Sequence, residues 1–98
     1  MKHTPGGWKY IKGLGEKFLI FGGLNYLCSV DSRVPPSENE ANARLIAAAP
    51  ELLEACLAMM RYQALIESED ETKSGLIAAY AEAFEGAEAA IAKARGEE

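Results

Sequence analysis

The densest group of residues that could do chemistry is a run of four carboxylates, Glu67, Glu69, Asp70 and Glu71. Clustered carboxylates can bind a divalent cation or act as a general acid and base. The run has neither the spacing nor the glycine of a calcium-binding loop. It also falls where the helical periodicity of the chain breaks, and turns between helices commonly carry solvated charge. We interpret the run as surface charge, with binding of a protein partner as the functional alternative.

A second group combines aromatic and basic residues near the start of the chain: Trp8, Tyr10, Lys12, Lys17 and Tyr26. Aromatic rings stack on nucleotide bases, and lysines bind phosphates. On a sheet, these side chains could therefore form a site for a small ligand or nucleotide. A sheet covered by helices needs its aromatic residues in the core instead, and the sequence leaves both interpretations open.

The remaining candidates for chemistry are weak. His3 is the only histidine, and no other ligand type lies at metal-binding spacing from it. The glycines at 13, 15, 22 and 23 do not match a phosphate-binding loop, because no helix pattern follows them. We predict no catalytic residue, no metal ligand and no cofactor, and we expect that the protein is not an enzyme.

Charge is distributed unevenly along the 98 residues, whose net charge is −5. Residues 1–35 carry five basic and two acidic residues, whereas residues 36–98 carry five basic and thirteen acidic ones. A nucleic-acid-binding protein usually has a strong basic surplus, so we expect no direct binding of nucleic acid.

Hydropathy and cysteine usage indicate the compartment. No apolar run approaches the roughly 20 residues that a membrane span requires, and the N-terminus lacks the apolar segment of a secretory signal. Cys28 and Cys56 lie inside apolar periodic segments rather than in a disulfide pattern. We therefore expect two buried free thiols in a reducing cytoplasm, with a disulfide between them as the alternative, and no binding to membranes.

Residues 1–35 predict a β meander. Three short segments, 8–12, 17–21 and 25–30, are rich in aromatic and β-branched residues. Glycine-containing turns separate them, and glycine readily adopts the positive φ that tight turns require. The middle segment is apolar on both faces and is placed at the centre of a three-stranded antiparallel sheet.

Residues 36–98 predict three helices. Pro35 and Pro36 precede Ser37 and Glu40, which have the spacing of a capping box with Ser37 as N-cap. Pro50 should end the first helix and open the second, since proline fits a first turn. The second helix should run to about residue 66 with a helically spaced apolar face, formed by Leu53, Cys56, Leu57, Met60 and Ala64.

The last helix should run to about residue 94, after a second capping box at Ser68 and Glu71. Gly96 is a natural stop. The apolar stripe of this last helix consists of Leu76, Ile77, Tyr80, Phe84, Ala87 and Ile91. The predicted fold is therefore a single α+β domain over residues 1–98, with a small N-terminal three-stranded antiparallel sheet (1–35) followed by three α-helices (36–98).

Two sequence blocks carry a resemblance to known proteins. Residues 3–8, His-Thr-Pro-Gly-Gly-Trp, and residues 42–55, Asn-Ala-Arg-Leu-Ile-Ala-Ala-Ala-Pro-Glu-Leu-Leu-Glu-Ala, resemble two blocks of small phage and prophage proteins of unknown function. In those proteins the first block usually has proline where this chain has Gly7. The resemblance implies a phage setting but transfers no site residue. The matching residues look structural, with Pro50 as helix opener and Leu45, Ile46, Leu52 and Leu53 as core.

Together these features predict a small phage-encoded accessory protein that acts by binding a host protein in the cytoplasm. Inhibition of a host defence complex, as anti-CRISPR proteins do, is one concrete version. The alternative is a small-ligand or nucleotide-binding protein that sequesters its ligand. We also predict a homodimer through the last helix near Gly86 and Ala90, because small residues allow close helix approach. The alternative is that alanine merely favours helix there.

Overall fold

The computed structural model of the chain describes residues 2–5, 7–15, 17–31, 35–67 and 75–96. Within them lie three strands and three helices, in the order β1 to β3 and then α1 to α3. The strands are Trp8–Lys12 (β1), Phe18–Gly22 (β2) and Asn25–Val30 (β3). The helices are Pro36–Ala47 (α1), Ala49–Glu67 (α2) and Leu76–Arg95 (α3). The predicted α+β fold class is confirmed.

The sheet is an antiparallel meander with β2 at its centre, as the two-sided apolar pattern of that segment predicted. Tyr10 pairs with Ile20, which in turn pairs with Cys28, and a bulge follows between Ile20 and Phe21. Gly15 and Gly23 adopt positive φ in the two connections. Glycine has no Cβ to clash in that region, so the predicted turn chemistry is confirmed.

The main core lies between the sheet and α1. Phe18, Ile20 and Val30 pack against Ala43 of α1, and Ile20 is completely buried. The buried Asn39 donates from Nδ2 to the Val30 carbonyl oxygen at 3.3 Å, which fixes α1 to the end of β3. The partly buried side chains around this cluster are Trp8, Tyr10, Leu27 and Ile46.

The predicted capping box at the start of α1 is wrong. The N-cap is Pro35, Pro36 is already helical, and no side chain caps the helix end. Proline fits this position because it has no N–H to satisfy and its φ already suits a helix. Ser37 therefore lies inside the first turn with its side chain exposed. The second predicted capping box, Ser68 to Glu71, lies outside the described residues.

A break between α1 and α2 occurs at Ala48, one residue earlier than predicted. Ala48 keeps a helical backbone, and its N–H approaches the carbonyl oxygens of Arg44 and Leu45. Pro50 lies at the second position of α2, within the first turn that tolerates proline. Gly96 ends α3 in the left-handed conformation, as predicted.

The helices α2 and α3 form an antiparallel hairpin whose interface is lined by alanine. The buried residues on its facing sides are Ala55, Ala58, Ala83 and Ala90. Small side chains let two helix backbones approach closely, so the large apolar residues cannot occupy the same seam. The predicted burial of Leu53 is wrong for this reason, and Leu45 on α1 is also exposed.

The stripe predicted on α3 is displaced from the core in the same way. Ala83 and Ala90 face α2, whereas Ile77 is 84% exposed, Tyr80 50% and Phe84 49%. The molecule measures 58 × 26 × 20 Å with a radius of gyration of 16.9 Å. A compact domain of this length has a radius of gyration of about 13 Å. The chain is therefore elongated and leaves much apolar surface uncovered.

The two cysteines are free thiols, as predicted, but both are exposed. Cys56 lies on the side of α2 that faces away from the alanine seam, and Cys28 lies on the edge strand β3. The expected burial of Cys56 is wrong because the hairpin buries alanine rather than the larger side chains, and the expected burial of Cys28 on the edge strand is wrong as well. No helix within the described ranges is long and apolar enough to cross a bilayer.

Candidate functional site

A groove of about 980 Å³ runs along one side of the molecule. It is bounded by β1, the end of α1 and the two helices of the hairpin. Its floor consists of small side chains, namely Ala55, Ala58, Gly86, Ala89 and Ala90. Nothing lies within 4 Å of a Cβ built on Gly86, so the groove is open at that point.

The groove contains an ion pair that joins three elements. Lys93 Nζ on α3 lies 2.8 Å from Glu51 Oε1 on α2 and donates to the Trp8 carbonyl oxygen of β1 at 3.0 Å. The Lys93 side chain is only 22% exposed. Glu51 Oε2 is buried and has no hydrogen-bond partner within the described part of the chain. The ammonium therefore fastens the hairpin to the sheet.

Trp8 forms the aromatic end of the groove. Its Nε1 donates to the Thr4 carbonyl oxygen at 3.0 Å. A Cβ on Gly22 of the neighbouring strand would lie 3.2 Å from that nitrogen, so glycine leaves the space that the indole occupies. The His3 ring meets the indole edge-on, with ring centroids 6.0 Å apart. His3 is exposed, and its ring packs against Trp8.

Further charges line the groove without forming a metal site. Arg61 on α2 lies 3.7 Å from Glu82 on α3, and Arg44 on α1 lies 3.7 Å from Glu40. Within the described ranges, no group of three or more histidine, cysteine, aspartate or glutamate residues could hold a metal ion. The mixed charge and small-residue floor suit a peptide segment or a polar small molecule with an aromatic part.

The residues predicted to bind a small ligand are not brought together. Trp8 and Tyr10 line the groove, and Tyr10 packs on Phe18 in the core beneath it. Tyr26 contacts Phe21 instead, on the opposite face of the sheet from Ile20. Lys12 is exposed and lies outside the groove lining, as does Lys17, whose Nζ is 3.8 Å from Asp31.

The groove residues that sequence reasoning missed come from distant parts of the chain. Lys93 is 85 residues from Trp8 and 42 from Glu51. No local spacing signals such a contact, because packing of α3 against α2 and β1 creates it. The alanine and glycine residues of the two helices were a weak sequence signal for this packing, since small side chains favour close approach of two helices.

A second surface runs along the side of α2 that faces away from α3. We call it the outer stripe, and it consists of Leu53, Cys56, Leu57 and Met60. All four are exposed, and Met60 is 69% exposed. Their spacing places them along one line on the helix. Glu67 continues the line at the end of α2, where its Oε1 accepts a hydrogen bond from Gln63 at 3.0 Å.

Glu67 is the only member of the predicted partner-binding run that the structure describes. It is exposed and lies at the acidic end of the outer stripe. The other three members, Glu69, Asp70 and Glu71, lie outside the described residues.

A third surface lies on the side of the hairpin opposite the groove. We call it the apolar face, and it consists of Met59, Ile66, Ile77, Tyr80, Phe84 and Ile91. Tyr80 links the two helices by ring contacts to Tyr62 at 5.4 Å and to Phe84 at 5.9 Å. None of the six lines the groove, whereas Glu51, Arg61 and Glu82 do. The hairpin thus separates a charged side from an apolar side.

Comparison with known proteins gives one family. No curated protein and no solved structure matches the chain. A family model described as Salmonella phage P22 protein Y8K6 matches residues 1–98. The chain therefore belongs to this family of phage proteins.

Proposed function

We propose that this phage protein acts without catalysis, by binding a protein of the bacterial host through the outer stripe of α2. The observation that carries the proposal is the exposure of Leu53, Leu57 and Met60 on a helix whose buried side is alanine. Helices commonly bind a partner protein by placing an exposed apolar row of this kind in a hydrophobic groove on the partner.

Charge supports a particular kind of host surface. Glu67 continues the outer stripe, and residues 36–98 carry a net charge of −8. A partner with an apolar groove beside a basic patch would match both features. Such a patch on a host defence complex normally binds nucleic-acid phosphates. Occupying it would inhibit the complex, as anti-CRISPR proteins do.

The test begins with affinity purification of the tagged protein from host cells, followed by mass spectrometry. Met60→Glu places a charge in the outer stripe, and Leu24→Glu makes the same kind of change in the fully exposed turn between β2 and β3. We expect one host protein to be retained by the parent and by Leu24→Glu but lost with Met60→Glu.

The captured protein is then purified and titrated by calorimetry. We expect Met60→Glu to raise Kd at least tenfold, and a rise from about 0.1 M to 0.5 M salt to weaken binding, because charged contacts are screened. Retention that is equal for parent and Met60→Glu, or no direct binding by the purified host protein, would reject the proposal.

The groove supports a second candidate function, binding of a small ligand or nucleotide. Its volume of about 980 Å³ lies in the range of ligand sites, and Trp8, Arg44 and Lys93 provide an aromatic ring and two cations. Calorimetry with a panel of mono- and dinucleotides tests it. Binding that Arg44→Gln weakens and Lys12→Gln leaves unchanged would support the groove, and no heat with any nucleotide would exclude it.

A further inference from the structure

The apolar face lies at the upper end of the apolar patches that monomeric proteins expose, the largest of which are about 300–600 Å² and often functional. From the exposed fractions of its six residues, it presents roughly 630 Å² of surface, at ~200 Å² for a fully exposed residue of this size. A standard stable interface buries about 800 Å² on each partner. Scattered single apolar residues are normal on a surface, but a contiguous patch of this area marks an interaction site.

The residues of α3 within this face have the spacing of a helix-pairing seam. Ile77, Phe84 and Ile91 repeat every seven residues, and Tyr80 lies three residues after the first of them. Seven-residue apolar repeats with this offset are what two helices need to pack side by side. The half-buried Ala87 and Ala94 complete the pattern.

This pattern is self-complementary when a second copy of α3 runs antiparallel. A twofold axis between Glu85 and Gly86 places Phe84 opposite Ala87 of the second copy. The same register places Ile77 opposite Ala94 and Tyr80 opposite Ile91 of that copy. Phe84 and Ile77 then each meet an alanine, as interdigitated packing requires, whereas Tyr80 and Ile91 meet as two large apolar side chains. Antiparallel pairing also opposes the two helix dipoles.

We propose that the apolar face is covered by a second copy of this chain, giving an isologous antiparallel dimer with α3 paired to α3. The interface differs from the one that the sequence predicted. Ala90 is 1% exposed and packs inside its own hairpin, and Gly86 faces the groove. The outer stripe of α2 stays free in the dimer, so the proposed host interaction and the dimer use separate surfaces.

The first experiment measures mass by analytical ultracentrifugation from about 1 to 100 µM. We expect the parent to reach twice the monomer mass of 10.6 kDa in this range. Phe84→Glu should stay monomeric to 100 µM with an unchanged circular dichroism spectrum, since Phe84 is 49% exposed in the single chain. Met60→Glu, which changes the outer stripe, should dimerise like the parent.

The second experiment tests the register. Phe84→Ala and Ala87→Phe should each raise the dimer dissociation constant at least tenfold. The double variant restores a large residue opposite a small one and should return to within about threefold of the parent. A double variant as weak as either single variant would overturn the antiparallel register.

A parent chain that remains monomeric at 100 µM, or a Phe84→Glu variant that still dimerises, would overturn the dimer itself. Neither result affects the host interaction, because that interaction is judged by Met60→Glu. A third outcome is that the parent is monomeric and that Phe84→Glu abolishes capture of the host protein. This outcome would assign the apolar face to the host partner and would also reject the dimer.

Discussion

Lys93 Nζ on α3 lies 2.8 Å from Glu51 Oε1 on α2, although the two residues are 42 positions apart in the sequence. The same ammonium donates to the Trp8 carbonyl oxygen, so one side chain connects α3, α2 and β1. The ion pair is mostly screened from water, since the Lys93 side chain is 22% exposed and that of Glu51 is 38% exposed. The orientation of the hairpin relative to the sheet therefore depends on a polar contact at the groove.

Lys93→Ala should lower the free energy of unfolding by roughly 1–3 kcal/mol, because it removes two charge-assisted hydrogen bonds and leaves the Glu51 carboxylate partly buried without its cation. Urea denaturation followed by circular dichroism measures the change. Lys12→Ala, at an exposed position on β1, is the matched control and should change stability by less than about 0.5 kcal/mol. Equal stability of the Lys93 variant and its control would show that the contacts of Lys93 contribute nothing to the free energy of unfolding.

The alanine seam of the hairpin should not accept larger side chains. Ala83 has no exposed surface, so Ala83→Leu should destabilise the protein by about 1–3 kcal/mol through overpacking. Ala81→Leu adds the same atoms at an exposed position of the same helix and should be close to neutral. Thermal unfolding of both variants at low protein concentration provides the comparison. A neutral Ala83→Leu would mean that the two helices are not closely packed at this point.

Two glycines on or beyond α3 should respond to alanine with opposite signs. Gly96 has φ of +77°, and a Cβ there would lie 2.5 Å from Arg44 Nε, so Gly96→Ala should cost about 1–2 kcal/mol. Gly86 lies in the helix interior with nothing within 4 Å of a Cβ. Gly86→Ala should therefore stabilise the protein by about 0.5–1 kcal/mol, because alanine loses less backbone entropy in a helix. Chemical denaturation decides the signs, and two shifts in the same direction would contradict this account.

The elements of this protein follow from local chemistry. Alternating aromatic residues and glycine turns determine the three strands, and Gly15 and Gly23 adopt the positive φ that only glycine takes freely. Pro50 and Gly96 mark the helix boundaries to within a residue or two. The phage setting was also readable from residues 3–8 and 42–55, and the family match confirms that setting.

The predicted capping box at the start of α1 was wrong because two sequence signals for a helix start lie next to each other. Ser37 and Glu40 have capping spacing, but Pro36 already meets the needs of the first helical turn. The hydroxyl therefore has no helix end to cap.

Which side of each helix is buried was decided only by the tertiary structure. α2 and α3 carry apolar or small residues on most sides, so hydrophobic periodicity does not specify one buried face. Close approach of the two backbones selects the alanine side, with Ala83 inside and Phe84 outside. The groove has the same origin: Lys93 meets Trp8 across 85 residues because packed helices bring them together. Sequence spacing encodes neighbours along an element, whereas contacts between elements depend on the shapes that pack.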